Sequence, residues 1–209
     1  MHDTAYISGA SFAHHYGKPG YKVLDIGGLD VNGNLRKEFE SRNMEYISID
    51  ISEGNNVDIV VNPNEKLPFE NASFDIVIST SCFEHDPCFW MTFREMCRIV
   101  KLDGYIYVNA PSNGMYHTYP GDNWRFYSDA GQALSFWASK TVDGECYPVQ
   151  VIETFHILPM NDIWIDFVCV WKRVVEKTTE ITIDKQVRTF VGPLENNIKY
   201  NNVQTTKTM

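Results

Sequence analysis

Residues 21–28 have the sequence YKVLDIGG, a short apolar run that ends in two glycines. This pattern predicts a buried strand followed by a tight turn. Further strands are predicted at 46–50 (YISID), 57–61 (VDIVV), 74–79 (FDIVIS) and 105–109 (YIYVN). Helices are predicted at 35–42 and 89–100, and Gly104 suits the left-handed position after the second of them. Strands that alternate with helices indicate crossover units and a parallel sheet.

The later part of the chain has a different pattern. A helix is predicted at 128–139, whereas 149–156 and 163–172 read as two strands with no helix between them. Such a pair can close a sheet as an antiparallel hairpin. We therefore expect an α/β fold with a mostly parallel seven-stranded sheet, a terminal antiparallel hairpin and helices on both faces. We assign residues 1–175 to this domain and 176–209 to a C-terminal arm or tail.

Composition and charge argue against several kinds of binding partner and cellular location. The 209 residues include 18 Lys or Arg and 27 Asp or Glu, which gives a net charge of −9. Without a basic run, this argues against a nucleic-acid partner. No apolar run approaches the ~18 residues of a membrane span, and the N-terminus lacks a signal-peptide pattern. The five cysteines are scattered and odd in number, so we expect no disulfide framework and a cytoplasmic location.

Acidic residues end the first two predicted strands. The glycines at 27, 28 and 33 do not fit the GxGxxG fingerprint of dinucleotide enzymes, which disfavours a dinucleotide oxidoreductase. Asp25 instead suits a ligand that carries an ammonium group, and Asp50 is placed to bind both hydroxyls of a ribose. Each acid alone could be a solvated strand end, but the pair with the glycines between them favours a ligand site.

Four motifs in a fixed order resemble the class I S-adenosylmethionine (SAM) dependent methyltransferases, in particular the type 11 group found in glycan assembly. They are VLDIGG at 23–28, YISID at 46–50, NPNEKLPFENASFDIVIST at 62–80 and RIVKLDGYIYVNAPS at 98–112. The resemblance extends over roughly residues 8–172. It implies a Rossmann-like fold, SAM as cofactor and S-adenosylhomocysteine as product. The loop GGLDVNGN and Asp103, at a usual Pro or Gly position, depart from the family pattern.

The resemblance also implies a role for each cofactor-site residue. Asp25, Gly27 and Gly28 would contact the methionine part of SAM. Asp50 would hold the ribose, and Ile51 would pack on the adenine.

Two further residues are assigned to the cofactor by the resemblance. Asn62 would accept a hydrogen bond from the adenine amino group through its side-chain oxygen. Ser79, at the end of the fourth strand, would lie beside the sulfonium.

Glu84 and His85 follow the fourth predicted strand, where ligands bind in folds of this kind. We interpret them as a base or as a pair that orients the acceptor. The alternative is that the dipeptide caps the following helix and braces the cofactor loop.

The segment 110–127 is rich in aromatic and polar residues and poor in aliphatic ones. Its part HTYPGDNWRFY, at 117–127, resembles a signature of methyltransferases that act in glycan assembly. We expect substrate contacts from Glu84 and from four residues of this segment: Tyr116, Tyr119, Trp124 and Arg125. In the alternative, Trp124, Phe126 and Tyr127 are a hydrophobic segment that leads into the next helix, and Arg125 bridges to an acid.

Transfer of a methyl group to a hydroxyl requires in-line attack and a group that takes the hydroxyl proton. His117, paired with Asp122, is our first candidate for that general base, because histidine titrates near neutral pH. His85 is the second. No ligand spacing singles out a metal site, so we predict no essential metal.

The leading hypothesis is an O-methyltransferase that acts on a sugar or glycan, such as a deoxyhexose like rhamnose. One alternative is a methyltransferase for a small metabolite, lipid or quinone, and another is a SAM-binding protein without turnover.

Overall fold

A computed structural model describes residues 3–63, 65–159, 163–175 and 198–199. Its helices are α1 (Asp3–Tyr16), α2 (Arg36–Glu40), α3 (Phe89–Ile99) and α4 (Ala130–Ala138). Its strands are β1 (Lys22–Ile26), β2 (Glu45–Asp50), β3 (Ile59–Val60), β4 (Phe74–Thr80), β5 (Val100–Pro111), β6 (Val149–Ile157), β7 (Asp166–Arg173) and β8 (Ile198–Lys199).

The described strands form one sheet in the order β3-β2-β1-β4-β5-β7-β6-β8. The pairs among β3, β2, β1, β4 and β5 are parallel, whereas β7 pairs antiparallel with both β5 and β6. The mostly parallel sheet with its antiparallel hairpin is therefore confirmed. Ile198–Lys199 adds a short antiparallel strand beside β6; the remainder of the predicted arm beyond residue 175 lies outside the described residues.

Apolar side chains cover the two faces of the sheet and hold a pair of helices on each. On one face α1 and α2 contribute Phe12 and Phe39 to a cluster that includes Tyr107 of β5. On the other face α3 and α4 contribute Phe93 and Leu134 to a second cluster. Residues of a strand alternate between faces, so one sheet supports both layers, as the prediction of helices on both faces requires.

The end of α3 differs from the prediction. The helix ends at Ile99, and β5 begins with the next residue. Asp103, not Gly104, has the left-handed conformation, with a φ of 64°. Gly104 is required for a different reason: a Cβ there would lie 2.7 Å from the Asp75 carbonyl oxygen. The glycine thus permits a close approach of two backbones instead of ending the helix.

Among the described residues, no helix combines the length and the apolar character that crossing a membrane requires. All five cysteines lie within the described ranges and are unpaired. The topology brings the carboxyl ends of β1, β2 and β4 together at one edge of the sheet.

Candidate active site

A large cavity opens at the carboxyl ends of β1, β2 and β4. Its volume is about 1420 Å³, and its walls include Asp25, Asp50 and Thr80 from these three strand ends. Ligands of open α/β sheets bind at this edge. Because pockets for one ligand commonly measure about 300–1,000 Å³, this cavity has room for a cofactor and an acceptor together.

Gly27 and Gly28 form a tight turn directly after β1. Both N–H groups donate to the Ile49 carbonyl oxygen at 3.0 Å. Gly27 has a left-handed φ of 78°, which favours glycine, and a Cβ there would lie 2.3 Å from Cys82 Sγ. A Cβ at Gly28 would lie 1.9 Å from Ser48 Oγ. The predicted turn is therefore present. Because it carries no side chains, a ligand in the cavity can approach its backbone closely.

Asp25 is buried at the base of this turn. Its Oδ2 accepts a hydrogen bond of 2.6 Å from the Tyr46 hydroxyl, whereas its Oδ1 has no partner among the described residues. Burial raises the pKa of this carboxyl group to about 6. A buried carboxylate oxygen without a partner is costly unless a ligand satisfies it, and an ammonium group would do so.

Asp50 and Ile51 form the neighbouring part of the wall. Asp50 accepts backbone N–H bonds from Leu29 at 3.1 Å and from Ser52 at 3.0 Å, which fix the direction of its carboxylate. The side chain of Ile51 is half exposed beside it. An apolar side chain next to an oriented carboxylate is consistent with the predicted adenine and ribose contacts.

The two remaining cofactor predictions have different outcomes. Asn62 lines the cavity, and its Nδ2 donates to Glu65 Oε2 at 3.0 Å, so its amide oxygen is the atom left for the predicted adenine contact. The prediction for Ser79 needs correction. This residue is fully buried, and its hydroxyl donates to the Ile26 carbonyl oxygen at 2.9 Å. Ser79 therefore packs against β1 and does not line the cavity, whereas the next residue, Thr80, does.

A further part of the cavity wall, which we call the acceptor end, is formed by Glu84, His85, His117 and Tyr119. Glu84 is 2% exposed, and burial raises the pKa of its carboxyl group to about 8. His85 Nε2 lies 3.6 Å from Glu84 Oε1, and burial lowers the pKa of the His85 imidazole. The rings of His85 and His117 meet edge to face with centroids 4.9 Å apart. Sequence-predicted acid–base groups from two loops are thus brought together.

Hydrogen bonds hold these two loops against each other. The Glu84 carbonyl oxygen accepts the N–H groups of Asn123 at 2.7 Å and Trp124 at 3.2 Å. The Asn123 side chain donates to the His85 carbonyl oxygen at 2.9 Å, and the Trp124 indole donates to that of Asp86 at 2.9 Å. We call residues 112–127 the acceptor loop. Its position relative to the Glu84 turn is therefore fixed.

Asp122 is the centre of a second group in the acceptor loop. It accepts the His117 N–H at 2.8 Å and both terminal nitrogens of Arg125, at 2.5 and 2.7 Å. Arg125 holds the pKa of Asp122 well below its usual range. His117 Nδ1 lies 3.2 Å from Asp122 Oδ2, although out of line for a hydrogen bond. The pair predicted from the sequence is adjacent, with Asp122 held as an anion.

Three of the predicted substrate-contact residues, Tyr116, Trp124 and Arg125, do not line the cavity. Arg125 is occupied by Asp122 and by the carbonyl oxygens of Trp124 and Met115, so it stabilises the loop. Trp124 packs against Phe89 with ring centroids 5.5 Å apart, which matches the alternative of a hydrophobic approach to the helix.

Tyr116 is 75% exposed on the outer side of the loop. Of the predicted substrate-contact residues, Glu84 and Tyr119 line the cavity.

Sequence reasoning missed two features of the site. Tyr46 supports Asp25, and a signal existed: Asp25 pairs with Ser48 on β2, and residues two apart on a strand share a face. The contact between His85 and His117 has no local signal, because hydrogen bonds between distant segments create it.

Comparisons with known proteins agree with the fold. Residues 22–108 match a family model described as a methyltransferase domain. A search of curated protein sequences finds no match. A solved 1,6-didemethyltoxoflavin-N1-methyltransferase from Burkholderia thailandensis, with S-adenosylhomocysteine bound, has a TM-score of 0.66 and 14% identity, covering 83% of this chain and 79% of that chain. A putative sarcosine dimethylglycine methyltransferase from Galdieria sulphuraria has a TM-score of 0.57 and 12% identity, covering 82% and 86%.

At such identities the solved structures show the fold alone, whereas the family model adds the activity. The residues present also fit SAM: Asp25 offers an unpartnered buried oxygen, and the Gly27-Gly28 turn has no room for a side chain. The chain thus contains a methyltransferase domain and has the fold of the SAM-dependent class I methyltransferases, which supports a SAM-dependent methyltransferase.

Proposed function

We propose that this methyltransferase modifies a hydroxyl group of a sugar or glycan, with a deoxyhexose such as rhamnose as the leading acceptor. The observation that carries the proposal is the character of the acceptor end of the cavity. Glu84, His85 and His117 place a carboxyl group and two imidazoles there, and Tyr119 adds an aromatic ring. Polar groups beside an aromatic surface suit a ligand that has many hydroxyls and a weakly polar ring face.

The residues of the chain divide the work of the reaction. When bound, SAM supplies a methyl group attached to a positively charged sulfur. Transfer of the methyl group releases that sulfur as the neutral thioether of S-adenosylhomocysteine, which is a good leaving group. Asp25 and Asp50 fix the cofactor at one end of the cavity, while the acceptor loop fixes the acceptor at the other. Holding both reactants in line supplies a large part of the rate enhancement. In a site without a metal ion, we assign the acceptance of the hydroxyl proton to the cluster of Glu84, His85 and His117.

Asp122 has a supporting role in this scheme. Because Arg125 keeps it ionised, it is a weak base and is unsuited to take a proton itself. Its contact with the His117 N–H and its proximity to the imidazole orient His117 toward the cavity. We therefore assign Asp122 as a positioning residue.

A small metabolite is the second acceptor class. The Burkholderia thailandensis enzyme has a small heterocycle bound, and the cavity described above has space for such a molecule. The acceptor end argues for the sugar, because a heterocycle, lipid or quinone site is expected to carry more apolar side chains.

An acceptor panel tests the proposal. The protein is incubated with SAM and with rhamnosides, other deoxyhexosides, hexosides, a quinol and 1,6-didemethyltoxoflavin, and S-adenosylhomocysteine formation is measured. We expect turnover with a deoxyhexoside and a methyl ether in the product by mass spectrometry. Turnover confined to the quinol or the heterocycle would contradict the sugar assignment. Cofactor binding without turnover on any acceptor would support the non-catalytic alternative.

His117→Ala provides the matching variant. We expect turnover to fall by roughly 10²–10⁴-fold, while affinity for S-adenosylhomocysteine stays near normal because His117 lies at the acceptor end. His14→Ala, which removes an exposed histidine of α1, is the control and leaves turnover unchanged. Unchanged turnover in His117→Ala contradicts the assignment of the acceptor end.

A further inference from the structure

We propose that Glu84, His85 and His117 form a binding site for a divalent transition-metal ion, which holds the hydroxyl oxygen of the acceptor. Each of the three residues offers one ligand atom, and these atoms all lie within 4.8 Å of one another. The part of the proposal that concerns the acceptor rests on the proposed function. The metal site itself rests on the geometry of these three side chains.

The three side chains come from two segments that the fold fastens together. Glu84 and His85 lie on the turn after β4, and His117 lies in the acceptor loop. Asn123 and Trp124, in the same loop, donate backbone N–H bonds to the Glu84 carbonyl oxygen. Asn123 also donates through its side chain to His85. The backbone that carries the three side chains is therefore held in place before a ligand binds, as a metal site requires.

His85 has the arrangement of a metal ligand that is oriented from behind. Its Nδ1 contacts the Gly121 carbonyl oxygen. A carbonyl oxygen can only accept, so Nδ1 carries the proton and Nε2 presents its electron pair. Metal-bound histidines usually donate their second N–H to a carbonyl or carboxylate in this way. The free Nε2 of His85 faces the cluster, where Glu84 Oε1 lies 3.6 Å away.

Glu84 supplies an independent observation. Its side chain is 2% exposed and lines the cavity. Its Oε2 has no hydrogen-bond partner within the described part of the chain. The other oxygen lies 3.6 Å from His85 Nε2, whose electron pair is available to bind a cation. A cation between them would satisfy both atoms.

The ligand set indicates the class of metal. Two imidazoles and one carboxylate suit zinc and other first-row transition ions, whereas magnesium and calcium prefer oxygen ligands alone. Ligand atoms around zinc lie roughly 3.4 Å apart, given metal–ligand distances of about 2.1 Å. The pair of Glu84 and His85 is already near that spacing at 3.6 Å. His117, whose side chain is 35% exposed in the acceptor loop, would move inward to complete the site.

Three protein ligands leave coordination positions open toward the cavity. A sugar with two adjacent hydroxyls can occupy them through both oxygens, and a cation makes a bound hydroxyl more acidic. Under this proposal His117 acts as a ligand and the hydroxyl proton leaves to solvent. The proposal therefore departs from the prediction of no essential metal, which was based on sequence spacing.

Equilibrium dialysis against Zn²⁺ tests the site without any acceptor. Protein without a histidine tag is treated with a chelator, dialysed at a range of free Zn²⁺ concentrations and analysed for bound metal. We expect one Zn²⁺ per chain, with weaker binding of Mg²⁺. Glu84→Gln and His117→Ala are expected to lower the Zn²⁺ affinity at least roughly tenfold. His14→Ala, beside His15 on α1, is the control and keeps the affinity.

Circular dichroism and affinity for S-adenosylhomocysteine confirm that each variant is folded. Equal Zn²⁺ binding by the wild type and both folded site variants, or no binding by the wild type, overturns the proposal. The outcome is separate from that of the acceptor panel. Zn²⁺ bound at this site without turnover on any sugar contradicts only the proposed function, whereas sugar methylation that persists undiminished after chelation contradicts only the metal site.

Discussion

At the scale of single residues, Asp25 has a carboxyl group whose charge depends on pH near neutrality. Burial raises its pKa to about 6 in the protein without ligand. Protonation below this pH removes the negative charge that an ammonium group needs. We expect SAM affinity to be constant above about pH 7 and to fall by up to about tenfold for each pH unit below 6, as measured by isothermal titration calorimetry.

The stability of the fold changes in the opposite direction. Because the pKa of Asp25 is raised in the folded protein, the folded state binds the proton more tightly than the unfolded state does. Asp25 therefore costs stability at neutral pH, and that cost shrinks as the pH falls below 6 and is gone below the unfolded pKa of about 4. Loss of SAM affinity at low pH is thus not expected to arise from Asp25-linked unfolding. Asp25→Asn should weaken binding and flatten the pH dependence, whereas the exposed control Asp103→Asn should do neither.

Gly28 has almost no room for a side chain. A Cβ there would lie 1.9 Å from Ser48 Oγ and 2.8 Å from Asp25 Oδ2. We expect Gly28→Ala to lower the free energy of unfolding by about 1–3 kcal/mol and to weaken S-adenosylhomocysteine binding. Urea denaturation and calorimetry measure the two effects.

Gly121→Ala is the matched control, because its nearest neighbour would be 3.6 Å from the new Cβ. Equal losses of stability in Gly28→Ala and Gly121→Ala would show that the tight turn does not depend on Gly28.

At the scale of elements, the acceptor loop and the turn after β4 act as one unit. Trp124→Phe removes the indole hydrogen bond to the Asp86 carbonyl oxygen and keeps a ring against Phe89. We expect kcat/KM for the acceptor to fall about fivefold, the equivalent of roughly 1 kcal/mol for one hydrogen bond. Affinity for S-adenosylhomocysteine should stay unchanged.

Tyr127→Phe alters an exposed aromatic residue of the same loop and serves as the control. A fall in cofactor affinity in Trp124→Phe, with kcat/KM unaffected, would contradict the separation of the two ends of the cavity.

The elements differ in how far the sequence predicts them. Buried strands such as β1 and β4 follow from continuous apolar runs, and the acids at their ends follow from the strand boundaries. The prediction that Gly104 ends α3 was wrong because the position is limited by the nearby Asp75 backbone, a long-range contact. Ser79 was misplaced because strand alternation turns it toward the Ile26 carbonyl oxygen, under the cavity.

For the acceptor end, the sequence predicts which residue types are present but not how they are arranged. The sequence supplies His117, Asp122 and Arg125 within one polar segment, but it does not say which of them faces the cavity. The ion pair of Arg125 with Asp122 decides this, because it directs both side chains into the loop. The proximity of His85 to His117 arises from tertiary contacts alone.

At the scale of the whole molecule, one sheet is shared by two apolar layers. Phe12 of α1 is fully buried against Tyr107 on one face, and Phe93 of α3 is fully buried against Trp171 on the other. We expect Phe12→Ala and Phe93→Ala each to cost about 3–5 kcal/mol in the free energy of unfolding. Since both layers rest on the same strands, each variant should unfold in a single transition.

Urea denaturation followed by both circular dichroism and tryptophan fluorescence checks this expectation. Phe136→Ala, at a half-exposed position on α4, is the control and should stay within about 0.5 kcal/mol of the wild type. Two separate transitions in Phe12→Ala would show that the faces unfold independently.

The fastening of the acceptor loop has a consequence for how such an enzyme can diversify. On one side the loop is bound to the turn after β4, and on the other Asn113 bonds to the backbone of Ile163 and Ile165. None of these anchors is Asp25 or a residue of the glycine turn. A relative's loop grafted between the same anchors should transfer acceptor choice while the methyl donor stays the same. The architecture thus allows acceptor specificity to change during evolution while the cofactor site is kept.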